Sequence, residues 1–259
     1  MPDVYLTIAQ APAALQNQLA DVLELRAADV QQRAMLESYL SGLPLNGARV
    51  LEIGCGTGAI CRRLARDAAA VTGIDPSPVF IERARALAPE IAFEVADGAQ
   101  LPFPDGSFDV VICHTVLCHI PDCEAVLREA RRVAAHLGVF DGDYATTTVA
   151  IAEHDPLQAC ADATVAGLVH DRRLVRRLPK LLEASGWTLT HQAAYGYTET
   201  SDPVYGLTIV DRGAGLLAAA GTIGEATAEA LRAEARRRAA AGTYYAHISY
   251  ASFLASATV

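Results

Sequence analysis

The residues that invite chemistry begin at Gly54-Cys55-Gly56-Thr57-Gly58, directly after the apolar run Val50-Leu51-Glu52-Ile53. Glycines between a strand and a helix let the chain turn with positive φ and let a ligand lie against bare backbone. Two acids follow at matched spacing. Asp75 closes a second apolar run, and a carboxylate there can accept both hydrogen bonds of a ribose diol. Asp97 closes a third, within Ala96-Asp97-Gly98-Ala99, where it can accept from an adenine amino group. Glu52 precedes the glycine loop and adds negative charge beside the pocket.

These acids separate two cofactor classes. Gly54 to Ala59 matches GxGxxG/A literally, so an NAD(P)-dependent oxidoreductase is one reading. An acid beside the loop opposes a pyrophosphate, which wants a bare helix N-terminus. It favours a cation, and S-adenosylmethionine (SAM) carries a sulfonium and an ammonium with no phosphate.

Further along, Phe108 to Cys113 reads as a buried strand, and Cys113-His114-Thr115-Val116-Leu117-Cys118-His119 follows its carboxyl end. Ligands of open parallel sheets bind beyond such ends. His119 is the preferred general base, because imidazole titrates near neutral pH, and His114 is the second candidate. The paired Cys-His steps lack a partner pair at zinc-finger spacing, so no metal is assigned. Asp143 and Tyr144 fall at the same rim after a fifth strand, within reach of substrate, and Asp141, His154 and Asp155 lie nearby. Tyr5 near the chain start is placed as a lid residue. Tyr197 belongs to a tyrosine-rich stretch suited to an aromatic or apolar acceptor.

Elements must position these groups. Strands are expected at 49–53, 70–74, 91–96, 108–113 and 137–140, alternating with helices at 59–67, 77–87 and 124–136. That rhythm means right-handed βαβ units and a parallel sheet covered on both faces. A helix is expected over 11–42. After Asp143 the rhythm breaks into helical stretches at 153–184 and 204–240, with strands at 187–197 and 244–254. An antiparallel strand at one edge of the sheet is expected.

The runs Leu51-Glu52-Ile53-Gly54-Cys55-Gly56-Thr57-Gly58, Gly73-Ile74-Asp75-Pro76-Ser77, Ala96-Asp97-Gly98-Ala99 and Leu101-Pro102-Phe103-Pro104-Asp105-Gly106-Ser107-Phe108-Asp109 resemble, in order and spacing, the successive motifs of class I SAM-dependent methyltransferases. The nearest flavour is the ubiquinone/menaquinone-biosynthesis-like (type 11) group. The resemblance implies SAM contacts along Gly54, Cys55 and Gly56. It also implies Asp75 on the ribose, Pro76 beside the adenine, and Asp97 with Gly98 at the adenine edge. Glu52, Cys113 and His114 join that cofactor set by position, and Arg26 joins it as the basic residue that related enzymes place near the cofactor carboxylate. A Rossmann-like seven-stranded α/β sheet is implied, mostly parallel with an antiparallel last strand, helices on both faces and a helical cap. The expected organisation is a single domain over 1–259. Within it lie an N-terminal lid (1–47), a SAM-binding core (48–142), substrate cap segments (143–185 and 203–242) and final strands (186–202 and 243–259).

Composition bounds the partners. With 30 acidic against 21 basic residues the formal charge is −9, which opposes a nucleic-acid backbone. The uncharged stretch from Ala239 to Val259 holds too many polar residues for a membrane span. No secretory pattern precedes residue 20, so a cytoplasmic chain with six reduced, packed cysteines is expected. The functional expectation is methyl transfer from SAM to a small-molecule acceptor, oxygen ahead of nitrogen or carbon, in metabolite biosynthesis. A SAM-bound non-methylating enzyme such as a cyclase is the alternative from another class. A homodimer is compatible with the apolar C-terminal segments.

Overall fold

The computed structural model describes residues 4–200 and 202–258. Seven strands form one sheet: β1 (Arg49–Ile53), β2 (Ala70–Asp75), β3 (Ala92–Val95), β4 (Val110–His114), β5 (His136–Thr148), β6 (Trp187–Glu199) and β7 (Ala246–Ala257). Their order is β3-β2-β1-β4-β5-β7-β6. β1 to β5 pair in parallel, and β7 runs antiparallel to both β5 and β6. The first four strands are short and mostly apolar, as befits a sheet buried on both faces. Val50, Leu51, Val110, Val111 and Ile112 are fully buried at its centre.

The chain leaves β1 towards β2 on one side and returns to β4 on the other. This reversal opens a crevice at the carboxyl ends of β1 and β4, where open α/β sheets bind ligands. Register sets the tips level, because Ile53 pairs with both Ile74 and Cys113. Gly54, Asp75 and His114 therefore emerge side by side.

Two expectations change. The antiparallel strand is not at the edge: β7 is inserted between β5 and β6, and β6 is the edge strand. Because β7 gives β5 a hydrogen-bonding partner along its length, β5 runs through Thr148 rather than ending at Phe140, with a register shift between Asp143 and Thr148. The helix expected over 11–42 is two, α1 (Ala13–Ala28) and α2 (Val30–Leu40). Asp29 breaks it with extended backbone (φ −65°, ψ 136°) and caps α2 by accepting from the Gln32 N–H (2.9 Å).

The remaining core helices are α3 (Ala59–Leu64), α4 (Pro78–Leu87) and α5 (Cys123–Val133). α4 starts where Ser77 accepts from the Phe80 N–H with proline at its first turn. α5 buries Cys123, Val126, Leu127, Ala130 and Val133, a stripe at helical spacing. α6 (Leu157–Leu168), α7 (Leu178–Ala184), α8 (Tyr205–Ala219) and α9 (Glu225–Ala240) make up the later helical layer. α8 packs along α6 and α9. Its start is fixed by the buried Glu199 carboxylate, which accepts from the N–H groups of Val204 (2.9 Å), Tyr205 (3.0 Å) and Gly206. An anion on a helix N-terminus is favourable, and here it places the Tyr205 side chain.

Candidate active site

A cavity of about 840 Å³ lies over the carboxyl ends of β1 to β5, roofed by α1, α2 and α8. Its wall on the β1–β3 side is the glycine loop and the two acids. Gly54 has φ +71°, and a Cβ there would sit 2.2 Å from Val116 Cγ2, so the loop closes against the turn after β4 only because the residue is glycine. Asp75 Oδ2 accepts from the Gly56 N–H (3.0 Å) and Oδ1 from the Ser77 N–H (2.9 Å). Each oxygen keeps lone-pair capacity facing the cavity. Burial raises the Asp75 carboxyl to about 6, against those two backbone bonds. Asp97 is more exposed and accepts from the Ala99 N–H (2.9 Å), which turns the chain after β3 and brings Gly98 to the wall.

Glu52 behaves differently from expectation. It is 2% exposed, its Oε2 accepts from the Cys61 thiol (2.8 Å), and burial pushes its carboxyl up to about 8. Burial thus opposes the standing negative charge expected there.

The N-terminal helices are bound to the loops by side chains that sequence reasoning did not single out. Glu24 on α1 accepts from Thr57 Oγ1 (2.5 Å) and from Arg62 (2.7 Å). Gln16 accepts from Ser77 Oγ (3.0 Å). Arg26 donates to Thr115 Oγ1 (2.5 Å), and no carboxylate among the described residues pairs with it. Thr115 is a β-branched residue at φ +52°, a costly conformation at the reversal point of the sheet. Its N–H is held by the Phe140 carbonyl (2.6 Å).

His119 ends a short 3-10 turn, Leu117–His119, and lines the cavity with its ring centroid 4.6 Å from that of Tyr5. The turn is pinned on both sides. Asp141, wholly buried, accepts from the Cys118 N–H (3.1 Å), and the Cys118 carbonyl accepts from the Asp171 N–H (2.8 Å). Burial raises the Asp141 carboxyl and His119 opposes that rise. Asp141 is thus a positioning residue for the turn rather than part of a rim cluster. His114 is buried and stacked on Phe140 (4.8 Å, 7°), with Nδ1 3.0 Å from Tyr39 Oη. Burial and the Arg26 charge hold its imidazole down at about 3. That depression disfavours His114 as the base relative to His119.

The cavity brings together Tyr5, Arg26, Glu52, Gly54, Cys55, Gly56, Asp75, Pro76, Asp97, Gly98, His114, His119 and Tyr144 from the expected set. Three others fall outside the wall. Cys113 is fully buried beneath the β4 tip, because a five-residue strand points alternate side chains to opposite faces. Asp143 pairs with Arg176 (2.8 Å) away from the cavity. Tyr197 is 1% exposed and sits one ring behind the wall, edge-on to Tyr205 (6.0 Å). Asp155 is bound to Arg238 (2.5 Å) and caps the start of α6. Among the described residues no three His, Cys, Asp or Glu side chains converge as a metal site, and no helix is long and apolar enough to cross a membrane.

Residues 51–140 match the family model described as a methyltransferase domain. That segment, about a third of the chain, is similar to the methyltransferase domain of class I SAM-dependent enzymes. The chain is 37% identical over 138 residues to the 27-O-demethylrifamycin SV methyltransferase of Amycolatopsis mediterranei, covering 51% of this chain and 44% of that protein. It is 39% identical over 101 residues to a ubiquinone biosynthesis O-methyltransferase of Xanthomonas oryzae pv. oryzae, covering 37% and 42%. The chain thus spans less than half the length of these curated relatives. Among solved structures, a geranyl diphosphate C-methyltransferase from Streptomyces coelicolor superposes with a TM-score of 0.55 over 88% of this chain and 79% of that one, at 13% identity. That likeness shows the fold. The matched segment contains the glycine loop, Asp75 and Asp97, and it supports SAM rather than a nicotinamide as the cofactor of that loop. The residues present fit SAM: the cavity has ligand dimensions, acids with spare acceptor capacity stand at the β2 and β3 tips, and the Arg26 guanidinium, without a carboxylate partner among the described residues, stands at the β4 tip.

Proposed function

We propose that this chain transfers a methyl group from SAM to an oxygen atom of a small-molecule acceptor, with His119 as the base. When bound, SAM supplies an activated methyl that a nucleophile displaces in line. Asp75 would hold the ribose, Asp97, Gly98 and Pro76 the adenine, Gly54 to Gly56 the amino-acid end through backbone, and Arg26 its carboxylate. Glu52 would ionise beneath the positive end of the cofactor.

The observation that carries the reading is the pinned turn at His119. Asp141 and Asp171 fix its backbone from two sides, so the imidazole is held at the cavity wall rather than on a mobile loop. Orientation of this kind can supply about 7–11 kcal/mol of a two-body barrier. A base accepting the hydroxyl proton typically adds about 10²–10⁴-fold. Two relatives whose names specify an oxygen-linked methyl support that acceptor type. The segment before β1 acts as a lid, since Tyr5 covers His119 and Arg26 reaches Thr115. The cap formed by α6, α8 and β5 selects the acceptor, and the product is placed in metabolite biosynthesis.

The experiment is incubation with methyl-labelled SAM and a panel of hydroxylated aromatic and polyketide-type acceptors. Label transferred to acceptor oxygen is the expected result. SAM retained through purification with no transfer to any acceptor would contradict methyl transfer and favour a non-methylating role. Transfer to nitrogen or carbon would contradict the acceptor type.

A further inference from the structure

The part of the cavity beyond β4 sets several hydrogen-bond donors among apolar and aromatic walls. Neighbouring strands are about 4.8 Å apart, so the tips of β5 and β7 stand roughly 15–20 Å from that of β2, beyond the nucleoside acids. His114 offers one donor. The buried Tyr39 phenol, its ionisation strongly opposed by burial, keeps its proton and lies 3.0 Å from Nδ1, and in the tautomer in which it donates there the ring N–H stands on Nε2. Gln32 on α2 offers a second. Its side chain is 5% exposed and lines the cavity, and its Nε2, which carries two N–H groups, makes no hydrogen bond of ordinary geometry among the described residues. Tyr250 Oη is buried close by and faces the Gln32 side chain without a hydrogen bond of ordinary geometry, and its ring lies 5.2 Å from Phe140, which stacks on His114. A buried amide without a partner costs about 1–3 kcal/mol, so an acceptor is expected there when the site is filled.

The charges point the same way. Two half-buried arginines, Arg26 on α1 and Arg212 on α8, line this cavity, and no carboxylate among the described residues pairs with either. The carboxylates nearby are committed: Glu24 to Arg62, Asp141 to backbone N–H groups, Asp143 to Arg176 and Asp211 to Arg236. The cofactor brings one carboxylate. A second guanidinium is left over, beside donors that lack acceptors, on walls carrying Tyr144, Tyr205, Leu168 and Val169.

Resting on the SAM reading above, we propose that the methyl acceptor is an aromatic or apolar acid whose carboxylate is seated by Arg212, with Gln32 and His114 donating to its oxygen atoms. The site discriminates as polar pockets do, by leaving its own donors unpaired with any analogue that lacks the acid.

The test uses the whole chain saturated with S-adenosylhomocysteine, with benzoate as the probe and benzyl alcohol and benzylamine as controls. Benzoate is expected to raise the melting temperature of the loaded chain while the controls leave it unchanged. Arg212→Gln, at a half-exposed position, and Gln32→Leu, close to isosteric, are each expected to weaken benzoate binding by about tenfold or more, the value of one charge-assisted hydrogen bond. S-adenosylhomocysteine affinity, titrated separately, is expected to stay within about threefold, less than one such bond is worth. Benzoate that does not bind, or that binds either variant as tightly as the unaltered chain, overturns the proposal. So does a loss of S-adenosylhomocysteine affinity in both variants with 5′-methylthioadenosine affinity unchanged, which would assign these donors to the cofactor's own carboxylate. Failure of S-adenosylhomocysteine to bind the unaltered chain would instead overturn the proposed function.

Discussion

The β1–β3 tips and the cap that faces them enclose one cavity, yet they hold their functional groups by different means. On the first side, backbone does the positioning. Gly54 turns against Val116, Asp75 is held by two N–H groups, and Asp97 folds back on Ala99. On the cap side, rings hold rings: Tyr39 on His114, and a ladder from Phe140 through Tyr250 to Tyr144. Backbone turns need particular residue types at fixed spacing. Ring ladders need only bulk and a partner from a distant segment, so acceptor choice can change on the cap without disturbing the cofactor side.

Substitutions can break this contrast. The largest effect is expected from His119→Gln, with methyl transfer falling about 10²–10⁴-fold while SAM affinity stays nearly constant. Single-turnover kinetics with labelled SAM measures it, and near-normal rates would remove the base role. Gly54→Ala comes next. It forces a side chain into a positive-φ position, which alone costs about 1–2 kcal/mol, and into contact with Val116. The expected outcome is a lower melting temperature together with weakened SAM binding.

Asp75→Asn is expected to cost about 1.5–3 kcal/mol of SAM affinity, roughly 10–100-fold, from lost charge-assisted hydrogen bonds. Calorimetric titration reads it directly.

Most of the cofactor side was legible in the sequence for the reason just given. Gly54, Asp75 and Asp97 each close a strand, and alternation of strand and helix fixes where such closures meet. What escaped was set by long-range packing. Thr57, Glu24 and Gln16 look like ordinary polar residues until α1 lies across the loops. Asp143 reads as a rim acid until Arg176, far along the chain, takes its charge. The insertion of β7 between β5 and β6 was hidden because two antiparallel neighbours leave the same alternating pattern in either order. Gln32 carries no signal beyond being a buried polar residue on α2.

A pH effect sharpens the comparison further. Glu52 and Asp75 have folded carboxyls near 8 and 6, raised from ordinary values of 4.5 and 3.8. The folded chain thus binds protons that the unfolded chain has released. Their contribution to stability is full below pH 4 or so, and is lost as pH rises through those two raised values. The melting temperature of the cofactor-free chain should fall between about pH 5 and 8, and Glu52→Gln should flatten the upper part of that fall. A flat profile in the unaltered chain would show that these acids are not buried as described.

The smallest effect is expected from Asp143→Asn. Its pair with Arg176 is partly exposed, and such pairs contribute about 0–1 kcal/mol. Melting temperature and the KM for acceptor should barely move, whereas a large rise in KM would return Asp143 to the acceptor site.

The central claim is that the strand tips form a seat for a sulfonium-bearing adenosyl cofactor. Isothermal titration of the whole chain with S-adenosylhomocysteine, SAM and NAD in turn tests it most directly. The account predicts saturable binding of the first two, abolished or much weakened by Asp75→Asn, and no heat with NAD. Tight NAD binding with no response to either adenosyl ligand would contradict it.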